Sequence, residues 1–385
     1  MGVAFTAVSC SESASSSEEE PEENLTVLAD QDNLSANTGS AVTFRSLQGT
    51  VGGALVLIDG TTGAVLLVSS EGQSVVFTAP SQIEALTGED SVRLGPFIQL
   101  LASGESQFNL VTADAVSGLL ILIDSATGVP SLLATAATIE TATGQEPDLT
   151  SPRETAANQV FAQNLNTGDL LLFGLSTGTV SPNALVEASE ITEASGSATP
   201  LVTGWAKGNA SLTNPLQFAF FSSTATIISL NSSGTISVHT PASEIEDLFS
   251  DVTNLNILDV VSDTASDSLL ALIGEGTRGI AVIAIDEDGN ASLFAGEEAL
   301  ATVAGSDFRL SDLDILPAGF PFAVDTGGSQ LIAFDRFGRI ELLSARADVE
   351  EIAPGSRLET GAPLGNTGMV TPDLTGGSLI FHRFR

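Results

Sequence analysis

The chain has 385 residues, 43% of them hydrophobic, and a formal net charge of −36 from 48 acidic and 12 basic residues. That balance argues against a nucleic-acid partner, which needs a basic footprint, and against unaided docking on anionic lipid. No apolar run approaches the roughly 18–20 residues of a membrane-spanning helix, and a single cysteine, Cys10, rules out an intrachain disulfide or a thiolate metal cluster.

Residues 1–10, MGVAFTAVSC, precede SESASSSEEEPEE, a Ser/Glu-rich stretch whose one apolar residue is Ala14. Such a stretch cannot bury enough surface to fold and reads as a disordered tether. Ala7, Val8, Ser9 and Cys10 resemble the end of a bacterial lipoprotein signal, in which small or apolar residues precede an invariant cysteine. The resemblance covers about ten residues and lacks the basic n-region and a full apolar stretch. It implies that Cys10 is lipidated and that residues 1–23 are a signal remnant plus tether. It also implies an extracytoplasmic address, periplasmic or cell-surface, with the membrane reached only through the lipid.

From residue 24 to residue 385 one module recurs. An apolar run ends at a turn glycine in LVLIDGTTG (Gly63), LLILIDSATG (Gly128), LLLFGLSTG (Gly178), TIISLNSSG (Gly234), AVIAIDEDG (Gly289) and LIAFDRFG (Gly338). A second marker, a short acidic or polar helical turn, follows and ends near Gly88, Gly144, Gly196, Ser250, Gly305 and Gly355. The last run, LIFHRFR, has no such partner, but VLADQDNLSANTG at the start of the chain supplies it. The spacing of roughly 50 residues lies in the range of propellers and solenoids.

The runs are rich in Val, Ile, Leu and Phe and are bounded by Gly, Asp, Asn, Ser and Thr, which is strand and hairpin chemistry. Further short strands, FNLVTAD, VFAQN, FAFFSS, ALIGE, PFAVD and GMVTPD, precede the runs, and LDILP at 313–317 marks an innermost strand. The expectation is an all-β, seven-bladed β-propeller with four-stranded blades, its closing blade shared by the N- and C-termini. Closure removes exposed strand edges; an open solenoid would not need the two ends to share one repeat. The pattern resembles bacterial secreted propellers of the NHL or WD40-like kind in its four-stranded blades and split closing blade. Their signature residues are absent, so the resemblance implies architecture and no activity.

Chemistry-bearing residues are few. His239 and His382 lie in different strand contexts, with His382 where Asp335 stands one repeat earlier, so histidine-based catalysis is not expected. No nucleotide-binding or hydrolase motif is present. Asp59, Asp124 and Asp335 precede turn glycines at the ends of strands that align as equivalent and read as Asx turns. IDEDGN at 285–290 is the nearest approach to a Ca²⁺ loop and lacks the remaining ligands, so no metal and no cofactor is expected. Trp205 is expected to pack between blades, the alternative being an exposed binding platform beside Lys207.

The more specific signal is arginine. Arg45, Arg93, Arg153, Arg309 and Arg357 each fall soon after a repeat-end glycine, on the approach to the inner strand. Asp114, Asp325 and Asp373, in TADAVSG, VDTGGS and TPDLTGG, should lie on the same face. Two readings follow: each Arg pairs with a carboxylate and fixes the ring, or the set forms a channel mouth for an anionic or hydroxyl-rich ligand. The functional expectation is a monomeric, lipid-anchored binding or scaffold module for a protein or carbohydrate of the cell envelope. The alternative is a channel-mouth enzyme of the lactonase, glycosidase or lyase kind.

Overall fold

A computed structural model gives the fold and describes residues 25–49, 54–96, 98–101, 108–156, 159–175, 179–181, 183–207, 215–231, 233–249, 251–263, 268–316, 319–359, 361–364 and 368–383. Cys10 and the tether of residues 1–23 lie outside the described residues.

Within them every sheet is an antiparallel meander. The first group is Phe44–Gly49, Leu55–Asp59, Val65–Val68 and Ser74–Thr78, paired in that order from inner to outer strand. The second, Ile98–Leu101, Phe108–Asp114, Leu119–Asp124 and Pro130–Leu132, repeats it. The third has three strands, Leu149–Ala156, Gln159–Asn164 and Leu170–Gly174, with bridges from Leu170 to Val186 and from Phe173 to Val180 at the outer position. Gly204–Lys207, Pro215–Phe221, Thr226–Asn231 and Ile236–Thr240 make the fourth. The fifth (Leu255–Asp263, Ser268–Glu275, Arg278–Ile285, Ala291–Ala295) and sixth (Leu310–Ile315, Pro321–Asp325, Gln330–Phe334, Ile340–Ser344) are joined through one residue pair, Gly279 and Leu310. The last group takes Ala362–Leu364, Gly368–Asp373 and Ser378–Arg383 from the end of the chain and Leu25–Ala29 from its beginning. There Leu25 pairs with His382 and Val27 with Ile380.

A short helix follows each outer position: Gln31–Thr38, Pro80–Thr87, Ala136–Thr143, Ala188–Ser195, Ala242–Glu246, Glu297–Ala304 and Arg346–Ile352. These acidic segments cannot stand as isolated helices at this length. Each is pinned by one buried apolar side chain, Leu34, Ile83, Ile139, Ile191, Ile245, Leu300 and Val349 in turn.

The core is divided in the same way. Among the described residues seven apolar clusters form; six lie between consecutive groups (Ile58 with Leu110, Leu120 with Val160, Phe161 with Ile228, Phe218 with Ile257, Leu272 with Phe308, Phe322 with Met369), and the seventh joins the last group to the first, Leu379 with Leu57. Trp205 belongs to the third of these, edge-on to Phe161 at 4.9 Å. It therefore packs between groups, as its sequence context suggested. Among the described residues no helix is long and apolar enough to cross a membrane.

Two alignments read from the sequence differ from the structure. LVLIDGTTG of the first repeat is a second strand and its turn, whereas LLILIDSATG and LIAFDRFG are third strands. The same Asp-x-x-Thr-Gly chemistry closes both hairpins, so the turns alone do not distinguish them. His382 stands in register with Phe334, not Asp335, because Leu379 and Leu331 occupy the same position opposite their second strands.

Candidate functional site

One end of the molecule carries the segments leading onto the inner strands together with the turns between second and third strands. They are tied by a repeated clasp. Asp59, Asp114, Asp325 and Asp373 end their second strands with side chains at most 2% exposed. Asp114 Oδ1 accepts the backbone N–H of Arg93 at 2.8 Å, Asp325 Oδ1 that of Arg309 at 2.6 Å and Asp373 Oδ1 that of Arg357 at 2.9 Å. Asp59 accepts Thr43 N–H in the same way at 3.0 Å. The remaining lone pairs take turn donors, such as Ser117 Oγ on Asp114 and Gly376 N–H on Asp373. In the third group Asn164 replaces the acid, and its amide donates to the carbonyl of Glu146 at 3.1 Å.

The expected Arg–Asp partners therefore meet, but through the arginine backbone. The side chains of Arg93, Arg309 and Arg357 are exposed on this face. None of the five arginines makes an ion pair within the described residues; the pairs present include Arg278–Glu297 at 2.9 Å and Arg346–Glu350 at 3.0 Å. The aspartates thus act as clasps on the arginine backbone, and the side chains of Arg93, Arg309 and Arg357 stand clear of them.

Arg153 lies deeper. It pairs with Phe161, three residues before the end of its second strand. Gln48 opposite Val56, Asp259 opposite Leu272 and Asp314 opposite Phe322 hold the same register in their own groups. These four form the polar part of a belt at one height. Burial lowers the Arg153 pKa to about 10, partly opposed by the charge of Asp259. The two belong to the third and fifth groups, so this Coulombic contact skips the fourth group between them. Arg153 Nη1 donates to the carbonyl of Pro152 at 2.8 Å. Burial also raises Asp259, even though Val260 and Leu313 donate backbone N–H groups to it at 2.8 and 3.0 Å and Asp312 lies within hydrogen-bonding reach. Asp314 is pushed up to about 6, first by burial and then by the Asp259 charge, against the bond from Ile315 N–H.

Nearer the mouth is a cavity of about 430 Å³, walled by Phe44, Leu47, Pro96 and Pro372 and presenting Arg45, Ser46, Gln48 and Glu359. Its walls come from the last, first and second groups. Gln48 Oε1 is buried there without a hydrogen-bond partner among the described residues.

The other candidates have structural roles. His382 is 1% exposed between Ser344 Oγ at 2.6 Å and Thr371 Oγ1 at 2.7 Å, and burial lowers its pKa to about 3. His239 packs at a tilt against Phe218, ring centroids 4.8 Å apart, and burial lowers its pKa. Asp124 and Asp335 close Asx turns, with Thr127 N–H and Phe337 N–H each donating at 2.8 Å. Asp286 of IDEDGN is occupied by Asn290. Among the described residues no group of His, Cys, Asp and Glu is placed to hold a metal ion. Sequence reading missed Gln48, Asp259, Asp314 and Glu359. A signal for two of them was present: Arg153, Asp259 and Asp314 each stand four residues beyond the leucine that opens the inner strand.

No known family profile matches the chain, and no curated protein sequence does. Solved structures with a similar fold include virginiamycin B lyase from Staphylococcus aureus, with a TM-score of 0.63 and 9% identity over 94% of this chain and 99% of that one. YCF48 bound to D1 peptide gives a TM-score of 0.56 and 11% identity over 94% of this chain and 96% of that one. The extracellular domain of a hybrid two-component system from B. thetaiotaomicron gives 0.58 and 8% over 89% of this chain and 40% of that one. At these identities the likeness establishes the fold alone, a β-propeller, and a fold hosts unrelated functions.

Proposed function

We propose that the chain is an extracytoplasmic binding module. In this reading seven blades close into a ring through Leu25–Ala29, a lipid on Cys10 and the acidic tether hold it to a membrane, and the mouth takes the ligand. The support for the ring is the set of seven interblade cores, the one between Leu379 and Leu57 included. The observation that carries the binding function is the mouth cavity, where Arg45 and Glu359 face the same space and neither has an ion-pair partner among the described residues. An apolar pocket with a few convergent polar groups is the usual form of a binding site. The partner is a protein or carbohydrate, met by a monomer without a cofactor; YCF48 with its D1 peptide is a precedent for a protein partner on this fold.

The test is a thermal-shift titration with acidic oligosaccharides and mixed-charge peptides. A ligand should raise the melting temperature of the parent and leave Arg45→Ala unmoved. Shifts of equal size in both proteins, or none in either, overturn the mouth as the site. Cys10→Ser should release the protein from the membrane fraction; unchanged fractionation removes the anchor.

One observation favours catalysis as a second reading. Asp314, held at about 6 inside the channel, has the proton affinity that general acid–base chemistry needs near neutral pH. Turnover of lactones or glycosides that disappears in Asp314→Asn would support it, and turnover unaffected by that change would end it.

A further inference from the structure

The mouth cavity is lined by consecutive residues of one strand, Phe44 through Gln48. Side chains alternate along a strand, so a cavity reached by five successive residues runs along the strand's edge and not over one face. That strand, Phe44–Gly49, ends its sheet and pairs only with Leu55–Asp59 among the described residues. Its other edge presents N–H and C=O groups without a strand partner, a template for another main chain.

We propose that the mouth receives an extended peptide segment, which adds main-chain hydrogen bonds to the free edge of Phe44–Gly49. This rests on the reading of the mouth as the binding site. Three features select a peptide. The edge offers donors and acceptors at strand spacing, which a second backbone matches and a sugar ring does not. Arg45 and Glu359 line the same cavity without pairing with each other or with another described residue. The complementary segment carries one carboxylate for Arg45 and one cationic side chain for Glu359. Pro96 and Pro372 wall the cavity with residues that have no N–H of their own.

The experiment selects random short peptides displayed on phage against the full chain, with Arg45→Ala as the counter-target. Enriched sequences should pair an acidic with a basic residue. Their synthetic forms should bind Arg45→Ala and Glu359→Gln about tenfold more weakly, as befits a lost charge-assisted contact. Methylating backbone nitrogens on the pairing side should abolish binding, while methylating the alternate nitrogens should not. Peptides that tolerate methylation at every position overturn edge pairing. If no peptide is enriched while an acidic oligosaccharide still shifts the melting temperature through Arg45, the mouth binds a ligand but not a peptide. If neither occurs, both readings fall.

Discussion

Asp325 concentrates the physics of the clasp in one side chain. Its carboxylate is fully buried and accepts Arg309 N–H, Gly327 N–H and the Gln330 amide at 2.6, 3.0 and 2.9 Å. Asp325→Ala strands those donors and should cost about 2–4 kcal/mol in urea unfolding. Asp325→Asn should cost roughly half as much, because Asn164 fills the same place in the third group. Arg309→Ala should stay within about 0.5 kcal/mol of the parent, since its guanidinium is exposed and the clasp uses its backbone. A large loss on Arg309→Ala would mean that the side chain carries a structural contact. Two buried groups give opposite pH dependences. Asp314 rises from 3.8 to about 6 on folding, so its stabilising effect is full below 3.8 and is lost as pH rises through 6. His382 falls from 6.5 to about 3, so its contribution is full above 6.5 and is lost as pH falls toward 3. Between these values they oppose each other, each on the order of a few kcal/mol. Relative to the parent, Asp314→Asn should lose stability more steeply on acidification from pH 6.5 to 4, and His382→Phe less steeply. Parallel curves for parent and variants would remove both assignments.

At the scale of elements the repeating joint is the turn between third and outer strands. Gly289, at φ +85°, is placed so that an added Cβ would stand 1.8 Å from the carbonyl oxygen of His239 in the preceding group. Gly338 repeats the contact on Phe294 at 1.9 Å. Gly144 also has a positive φ, 72°, but has open space where its Cβ would go. Gly144→Ala should cost about 1–2 kcal/mol, the price of a left-handed conformation alone. Gly289→Ala carries that strain and a backbone collision as well, and should cost clearly more in the same unfolding assay. Equal losses would mean that the groups can part at this joint without penalty. These turns were legible in the sequence because glycine is almost required where φ is positive. What was not legible is which hairpin a turn closes. LVLIDGTTG and LLILIDSATG share an apolar run ending in Asp-x-x-Thr-Gly, and only the pairing of Leu57 with Leu47 identifies the first as a second strand. The site was legible only to the same depth. The arginines were found because they recur soon after the repeat-end glycines. The use of their backbone by Asp114, Asp325 and Asp373 depends on register and distance that spacing does not encode, whereas Arg153, Asp259 and Asp314 left a partial signal in their shared distance from the leucine that opens the inner strand.

At the scale of the whole molecule the two ends of the chain meet in one sheet, with Thr26 against Phe381 and Ala29 against Leu379. Leu25 and Ala29 are buried, and each enters a different core, Leu25 with Phe322 and Met369, Ala29 with Leu57 and Leu364. A five-residue strand thus contributes to both interfaces of the last group. If that group closes a ring, its loss exposes the edge of Ser378–Arg383 and opens two cores together. Removing residues 1–24 takes none of these contacts away and should leave the melting temperature within about 2 °C of the parent, because surface and terminal changes cost little. Removing residues 1–29 should abolish the single cooperative transition and lead to aggregation through the uncovered strand. Differential scanning calorimetry of both truncations with the parent, followed by light scattering, separates the outcomes. If the longer truncation melts in one transition at the parent's temperature, Leu25–Ala29 is an appendage and the ring does not depend on the N-terminus for closure.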